Sequence, residues 1–212
     1  MKNQKLSLLA VVSACLLALS GCAPSGGSSS NEETTSDPLA DLQGNWSSGC
    51  NLGAGVYELG IYQVTGTDAV WEYGLYSDSD CSTPLAKRTE TYSGIAVGDN
   101  TTVSFEDSPL EPVSGYRFTA MIAGATATVQ NADLLNEFQT ENVCGMNWEL
   151  DVPNDVSGKT CSSTSIETTS FPPKDQTGYN NFTIVSGTLY FGGFTFNEIY
   201  TDSVWTRSYT KQ

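Results

Sequence analysis

From residue 44 to its end the chain alternates apolar and polar residues in short runs rich in Tyr, Trp, Phe, Val and Thr, separated by turn residues. A period of two with this composition predicts strands. The predicted strands are Gly44–Cys50, Val56–Thr65, Ala69–Ser77, Ala86–Val97, Thr101–Glu106, Tyr116–Ile122, Ala125–Gln130, Val143–Val152, Asn181–Val185, Thr188–Phe191 and Val204–Tyr209. One stretch, "NADLLNEFQTEN" from Asn131 to Asn142, has helical spacing instead. Asn131 is its cap, Asp133 suits its positive end, and Leu134, Leu135 and Phe138 form an apolar stripe that would pack as a lid or plug against one end of the strands. The expected class is all-β with one short mid-chain helix.

One hairpin can be given a register. With Gly66-Thr67-Asp68 as a three-residue connection, Leu59 faces Leu75, Ile61 faces Tyr73 and Gln63 faces Trp71, and Glu58, Tyr62, Glu72 and Tyr76 occupy the other face. A slip of one residue would mix the two sets.

The first two dozen residues follow another pattern. Lys2 and Lys5 precede an apolar run from Leu6 to Leu19, then small residues and Cys22. That is the layout of a secretory signal peptide, too short and too broken by Ser7 and Ser13 for a membrane span of about 20 residues. Leu19-Ser20-Gly21-Cys22 resembles the lipobox of bacterial lipoproteins. The resemblance implies cleavage after residue 21 and a lipidated Cys22, hence a membrane anchor. Ala23 stands where an aspartate would favour inner-membrane retention, which implies the outer membrane of the cell envelope. Each buried CH₂ contributes about 0.8 kcal/mol, so two or three acyl chains hold a protein firmly. Residues 22–38, mostly Gly, Ser, Asn, Glu, Thr and Pro, read as a disordered tether spanning about 20 to 24 Å. Residues 39–212 remain as a single domain large enough for one core.

Charge then narrows the partners. The chain has 9 basic and 24 acidic residues; loss of Lys2 and Lys5 with the leader makes the mature net −17. Such a charge repels phosphate backbones, so nucleic acid is not an expected partner, whereas a basic protein is compatible with it. Of the six cysteines, Cys15 leaves with the leader and Cys22 carries lipid; Cys50, Cys81, Cys144 and Cys161 sit in an exported domain where disulfides persist. Four cysteines allow three connectivities, of which the sequence-neighbour pairs Cys50 with Cys81 and Cys144 with Cys161 are preferred. Their spacing does not match a thiolate zinc framework, and no metal or cofactor is expected.

Histidine is absent. That excludes Ser-His-Asp and Cys-His catalysis and histidine-ligated zinc or haem. Paired carboxylates remain, but Glu58 and Glu72 fall about 14 Å apart in the register above, at roughly 3.4 Å per residue. Glycosidases need about 5 to 9.5 Å. Asp78 and Asp80 in "YSDSDCS" and Glu106, Asp107 and Glu111 in "FEDSPLE" supply too few oxygens for calcium without help from elsewhere. A non-enzymatic role is expected.

Gly44-Asn45-Trp46 opens the first strand and Arg207 lies in "SVWTRSY" near the end. This arrangement resembles the lipocalins, in which a Gly-x-Trp motif begins the barrel and a late arginine covers the tryptophan. The resemblance implies a lipocalin-like, antiparallel up-and-down barrel closed by Trp46 and Arg207, a cation over an indole contributing about 0.5 to 2 kcal/mol; a two-sheet β-sandwich is the alternative. A barrel of this size holds one small apolar ligand, and Trp71, Tyr73, Phe118, Trp148 and Phe182 are candidate lining residues. The alternative is an acidic surface that binds a basic protein or a glycan.

Overall fold

The computed structural model describes residues 37–53, 55–106, 110–166, 168–196, 198, 200, 203–205 and 207–212. The expected leader, Cys22, the tether as far as residue 36, and Asp107 lie outside the described residues. Pro38, the last residue of the expected tether, instead opens a short helix, α1 (Pro38–Leu42), capped by the Asp37 side chain on the Leu39 N–H. Its Leu42 is buried beside Trp46, whose indole N–H donates to the Leu42 carbonyl at 2.9 Å.

Eight strands form a closed antiparallel barrel: β1 (Gly44–Leu52), β2 (Tyr57–Thr65), β3 (Asp68–Tyr76), β4 (Pro84–Phe105), β5 (Val113–Val129), β6 (Thr177–Val185), β7 (Thr188–Phe191) and β8 (Ser208–Lys211). Sequence order is the order around the barrel, and β8 returns to pair with both β7 and β1. Closure satisfies the strand edges that a sandwich would leave open. The fold is all-β, as the alternation predicted, and its up-and-down barrel is consistent with the lipocalin-like barrel that the resemblance implied.

Several expected strands fuse. Ala86–Val97 and Thr101–Glu106 are one strand, β4, and Tyr116–Ile122 and Ala125–Gln130 are one strand, β5. The expected breaks are absorbed as irregularities in the ladder, between Thr91 and Tyr92, Ser93 and Ala96, and Val97 and Asn100. Gly94 takes a positive φ of 63° at the second, a conformation that suits a residue without Cβ. Val204–Tyr209 divides into β8 and a short Ser203–Val204 strand parallel to the end of β4.

Val143–Val152 is not a strand. Cys144 and Gly145 adopt left-handed φ of 57° and 64°, giving a 3₁₀ turn at Val143–Gly145, and only Leu150 makes an isolated bridge, to Val129. The reason is the Cys144–Cys161 disulfide, which folds this stretch into a compact insert between β5 and β6. The insert begins with α2 (Ala132–Thr140), where the Asn131 side chain accepts from the Asp133 and Leu134 N–H groups at 3.0 Å. The second disulfide, Cys50–Cys81, joins the loop after β3 to β1.

Among the described residues three apolar clusters are buried, the smallest being Val103, Phe105 and Val204. The largest contains Trp46, Tyr62, Phe118, Phe182, Phe191 and Tyr209, with Tyr62 and Phe191 ring centres 4.2 Å apart. Tyr62, Phe118 and Phe191 leave a void of about 20 Å³ between them, and a separate open space of about 510 Å³ is lined by Trp46, Tyr116, Phe182 and Lys211. The remaining cluster joins Ala125 and Val129 of β5 to Phe138 of α2, Val143 and Trp148. The helix thus packs over one end of the barrel.

Candidate ligand-binding site

Register decides which side chains face the interior. The β2–β3 turn has two residues, not three: Thr65 pairs with Asp68, and Leu59, Ile61 and Gln63 pair with Gly74, Glu72 and Val70. Gly66, with a φ of 60°, suits the tight turn, and Gln43 clamps it through hydrogen bonds to both the N–H and carbonyl of Gly66. The expected register is therefore off by one residue. Tyr62 pairs with Trp71 and Gly60 with Tyr73, on the face that also carries Glu58 and Leu75. Glu58 and Glu72 lie on opposite faces, and Glu72 pairs outside with Lys87 at 3.0 Å.

On β4 the neighbours of Trp71 and Tyr73 are Glu90 and Arg88. Glu90 is only 3% exposed and is held from both sides. Arg88 donates to one carboxylate oxygen, with Nε at 2.6 Å, and the Tyr92 hydroxyl donates to the other. The Arg88 guanidinium lies between the Trp71 and Phe171 rings, 5.3 and 4.6 Å from their centres. A second pair, Arg207 with Glu58, sits beside it, with Arg207 5.1 Å from the Tyr73 ring centre. A Cβ on Gly60 would lie 2.9 Å from the Tyr209 hydroxyl, so a glycine is needed for that ring to cross the interior.

The polar groups respond to this enclosure. Burial pushes the Tyr73 phenol up to about 12, and burial aided by nearby Glu90 pushes Tyr92 well above its ordinary value. Burial likewise raises Tyr62 and Tyr209. The Trp71 indole N–H is buried beside the Tyr209 hydroxyl and has no hydrogen-bond partner of good geometry among the described residues.

Three spaces open around these residues. The first, about 140 Å³, lies between the barrel mouth and the insert. Tyr73, Leu75, Ala86, Ala127 and Val129 line it from the barrel, and Phe138, Trp148, Ile166 and the Cys144–Cys161 disulfide from the insert. The second, about 420 Å³, is walled by Trp71, Arg88, Glu90, Phe171, Phe194 and Trp205. The third, about 390 Å³, is lined by Trp71, Tyr73, Trp205, Arg207 and Tyr209. Trp71 and Trp205 wall both larger spaces, while Arg88 and Phe171 are shared by the first and second.

The five candidate lining residues therefore separate. Trp71 and Tyr73 line the mouth, and Trp148 lines the small pocket from the insert, where its N–H donates to the Val143 carbonyl at 2.9 Å. Phe118 and Phe182 fill the core, their ring centres 5.7 Å apart. The closure pair is also redistributed. Lys211, not Arg207, lies over Trp46, 5.3 Å from the ring centre. Register explains it: Trp46 pairs with Lys211, which leaves Arg207 four residues away, or about 14 Å at roughly 3.4 Å per residue.

Residues that the sequence reading did not single out, Arg88, Glu90, Phe171, Phe194 and Trp205, complete the site. The alternation in "KRTETY" puts Arg88, Glu90 and Tyr92 on one strand face, but only a correct register shows that this face points inward. The acidic loop has a local use: the Asp78 carboxylate accepts from the Ser82 and Thr83 hydroxyls at 2.6 Å and from both N–H groups. Those bonds, the Ser82 hydroxyl first, hold its carboxyl well below the usual range. Among the described residues no group of three or more Cys, Asp or Glu is placed to hold a metal ion.

No protein-family model matches this chain, and comparison with curated protein sequences gives no match.

Proposed function

We propose that the protein is a lipid-anchored component of a bacterial cell envelope whose barrel binds a small apolar ligand and does not transform it. The observation that carries the binding reading is the pocket of about 140 Å³ between the barrel mouth and the disulfide-stapled insert. Apolar cavities of about 150 Å³ stay dry and accept a benzene-sized molecule. The pocket is of that size, so its occupant is one apolar ring or the end of an apolar chain. Around Tyr62, Phe118 and Phe191 the barrel is filled by its own aromatic side chains, which supports a ligand at the mouth over one in a central calyx. Support for a non-catalytic role is the lack of histidine and the neutralisation of both interior carboxylates, Glu58 and Glu90, by arginines. The anchor rests on the sequence from Lys2 to Cys22, and the outer membrane on Ala23.

The test is mass spectrometry of the purified full chain under native and denaturing conditions. A discrete small mass lost on denaturation is expected, and Ala127→Trp, which fills the pocket, should abolish it. A bare chain that also fails to respond to added toluene would overturn the reading. Incorporation of labelled palmitate, lost in Cys22→Ser, checks the anchor separately; an unlabelled chain would refute it.

A further inference from the structure

The aromatic cleft of about 420 Å³ beside the small pocket has its own chemistry, and its volume lies in the usual range of about 300 to 1,000 Å³ for ligand sites. Its walls combine the faces of Trp71, Phe171, Phe194 and Trp205 with the Arg88–Glu90 ion pair. Trp205 and Phe196 stand at its rim, 37% and 40% exposed.

Charge excludes most ligand classes. A cation would meet the Arg88 guanidinium, which already lies against Trp71 and Phe171, and Arg207, which lies against Tyr73. An anion would have to approach a chain of net charge −15, and the charges inside are already balanced, Arg88 by Glu90 and Arg207 by Glu58. A purely apolar ligand would cover the part-exposed Arg88 guanidinium without offering its remaining N–H groups an acceptor. What remains is a neutral molecule with an apolar face for the rings and a polar edge that accepts from a guanidinium. A pyranose ring has that form: axial C–H groups, slightly positive, sit over the negative face of an indole, and equatorial hydroxyls point along its edge.

We propose that this cleft binds a neutral sugar ring, stacked on Trp205 and hydrogen-bonded to Arg88. This rests on the binding reading above but concerns a second compartment. The ligand then carries its sugar next to the apolar end held by the small pocket, as an alkyl or aryl glycoside would.

The four tryptophans separate the two compartments: Trp148 lines the small pocket, Trp71 and Trp205 the cleft, and Trp46 lies in neither. The full chain, labelled at tryptophan with nitrogen-15 and held in lipid nanodiscs, is titrated with methyl β-D-glucopyranoside, methyl α-D-mannopyranoside and, separately, toluene. At least one glycoside should shift the Trp71 and Trp205 indole signals below about 100 mM, where even a single stacked ring registers. Toluene should shift Trp148. Trp205→Ala, which removes an exposed side chain, should weaken the glycoside by about three- to tenfold and leave the toluene response intact. If neither glycoside moves Trp71 or Trp205, or if Trp205→Ala changes nothing, the sugar proposal is wrong whatever toluene does. A toluene response without a glycoside response leaves the apolar pocket standing and the cleft proposal refuted.

Discussion

Glu90 shows how much one side chain can hold in place. It accepts from Arg88 on one oxygen and from Tyr92 on the other, and Arg88 in turn lies between two rings. Removing one partner of a buried pair leaves the other charge uncompensated, which costs about 3 to 5 kcal/mol. Glu90→Ala should lower the unfolding free energy by that amount in urea, and the paired change Arg88→Met with Glu90→Leu should recover most of it. The tyrosines around this pair add a second expectation. Tyr62 and Tyr92 are raised well above their ordinary value and Tyr73 to about 12, in each case chiefly by burial. Unfolded tyrosines ionise near pH 10, so above that the unfolded chain holds fewer protons than the fold. Stability is therefore complete below about pH 10 and falls as pH rises, by about 1.4 kcal/mol per unit for each tyrosine still protonated in the fold. Denaturation midpoints between about pH 8 and pH 11 will show the drop; a midpoint that stays level would contradict it.

Among the elements, the insert between β5 and β6 depends most on a covalent staple. Cys144 and Cys161 are 17 residues apart, and a loop of that length is restrained by about 3 kcal/mol. Replacing both with serine should speed amide exchange from residue 131 to 171 and leave β1–β8 protected; equal loss throughout the barrel would show that insert and barrel unfold together. Alternation and turn residues were enough to place α2 and most strands, because those signals are local. Register was not legible, and the β2–β3 hairpin shows why. Both of its faces carry apolar residues, Leu59, Ile61 and Val70 on one and Tyr62, Val64 and Trp71 on the other, so pattern alone could not choose between them. The choice lies in a contact distant in sequence, Gln43 on Gly66, and in the two-residue turn. Because register sets the interior face, half of the site was hidden with it: Trp71 and Tyr73 stood out as aromatic residues, whereas nothing in the pattern singled out Arg88 and Glu90. The Val143–Val152 stretch failed for another reason, since its extended pattern is overruled by a disulfide to a residue outside it.

At the scale of the whole molecule, everything depends on a seam only a few residues long. β8 pairs with β1 through Trp46 and Lys211 and with β7 through Leu189 and Tyr209, and Lys211 covers the Trp46 ring. Deleting residues 208–212 removes this strand and exposes the edges of β1 and β7, each a template for another chain. The truncated protein should run as soluble oligomers or aggregate on size-exclusion chromatography; a well-behaved monomer would mean that the barrel does not need its last strand. The same seam sets an order in time. Thr210 and Ser47, joined across it, are 163 positions apart in the chain, so β1 is made well before its partner. Until that partner emerges, an early strand keeps one edge open, and the interval in which the protein can misassemble is at least the time taken to make the residues between them.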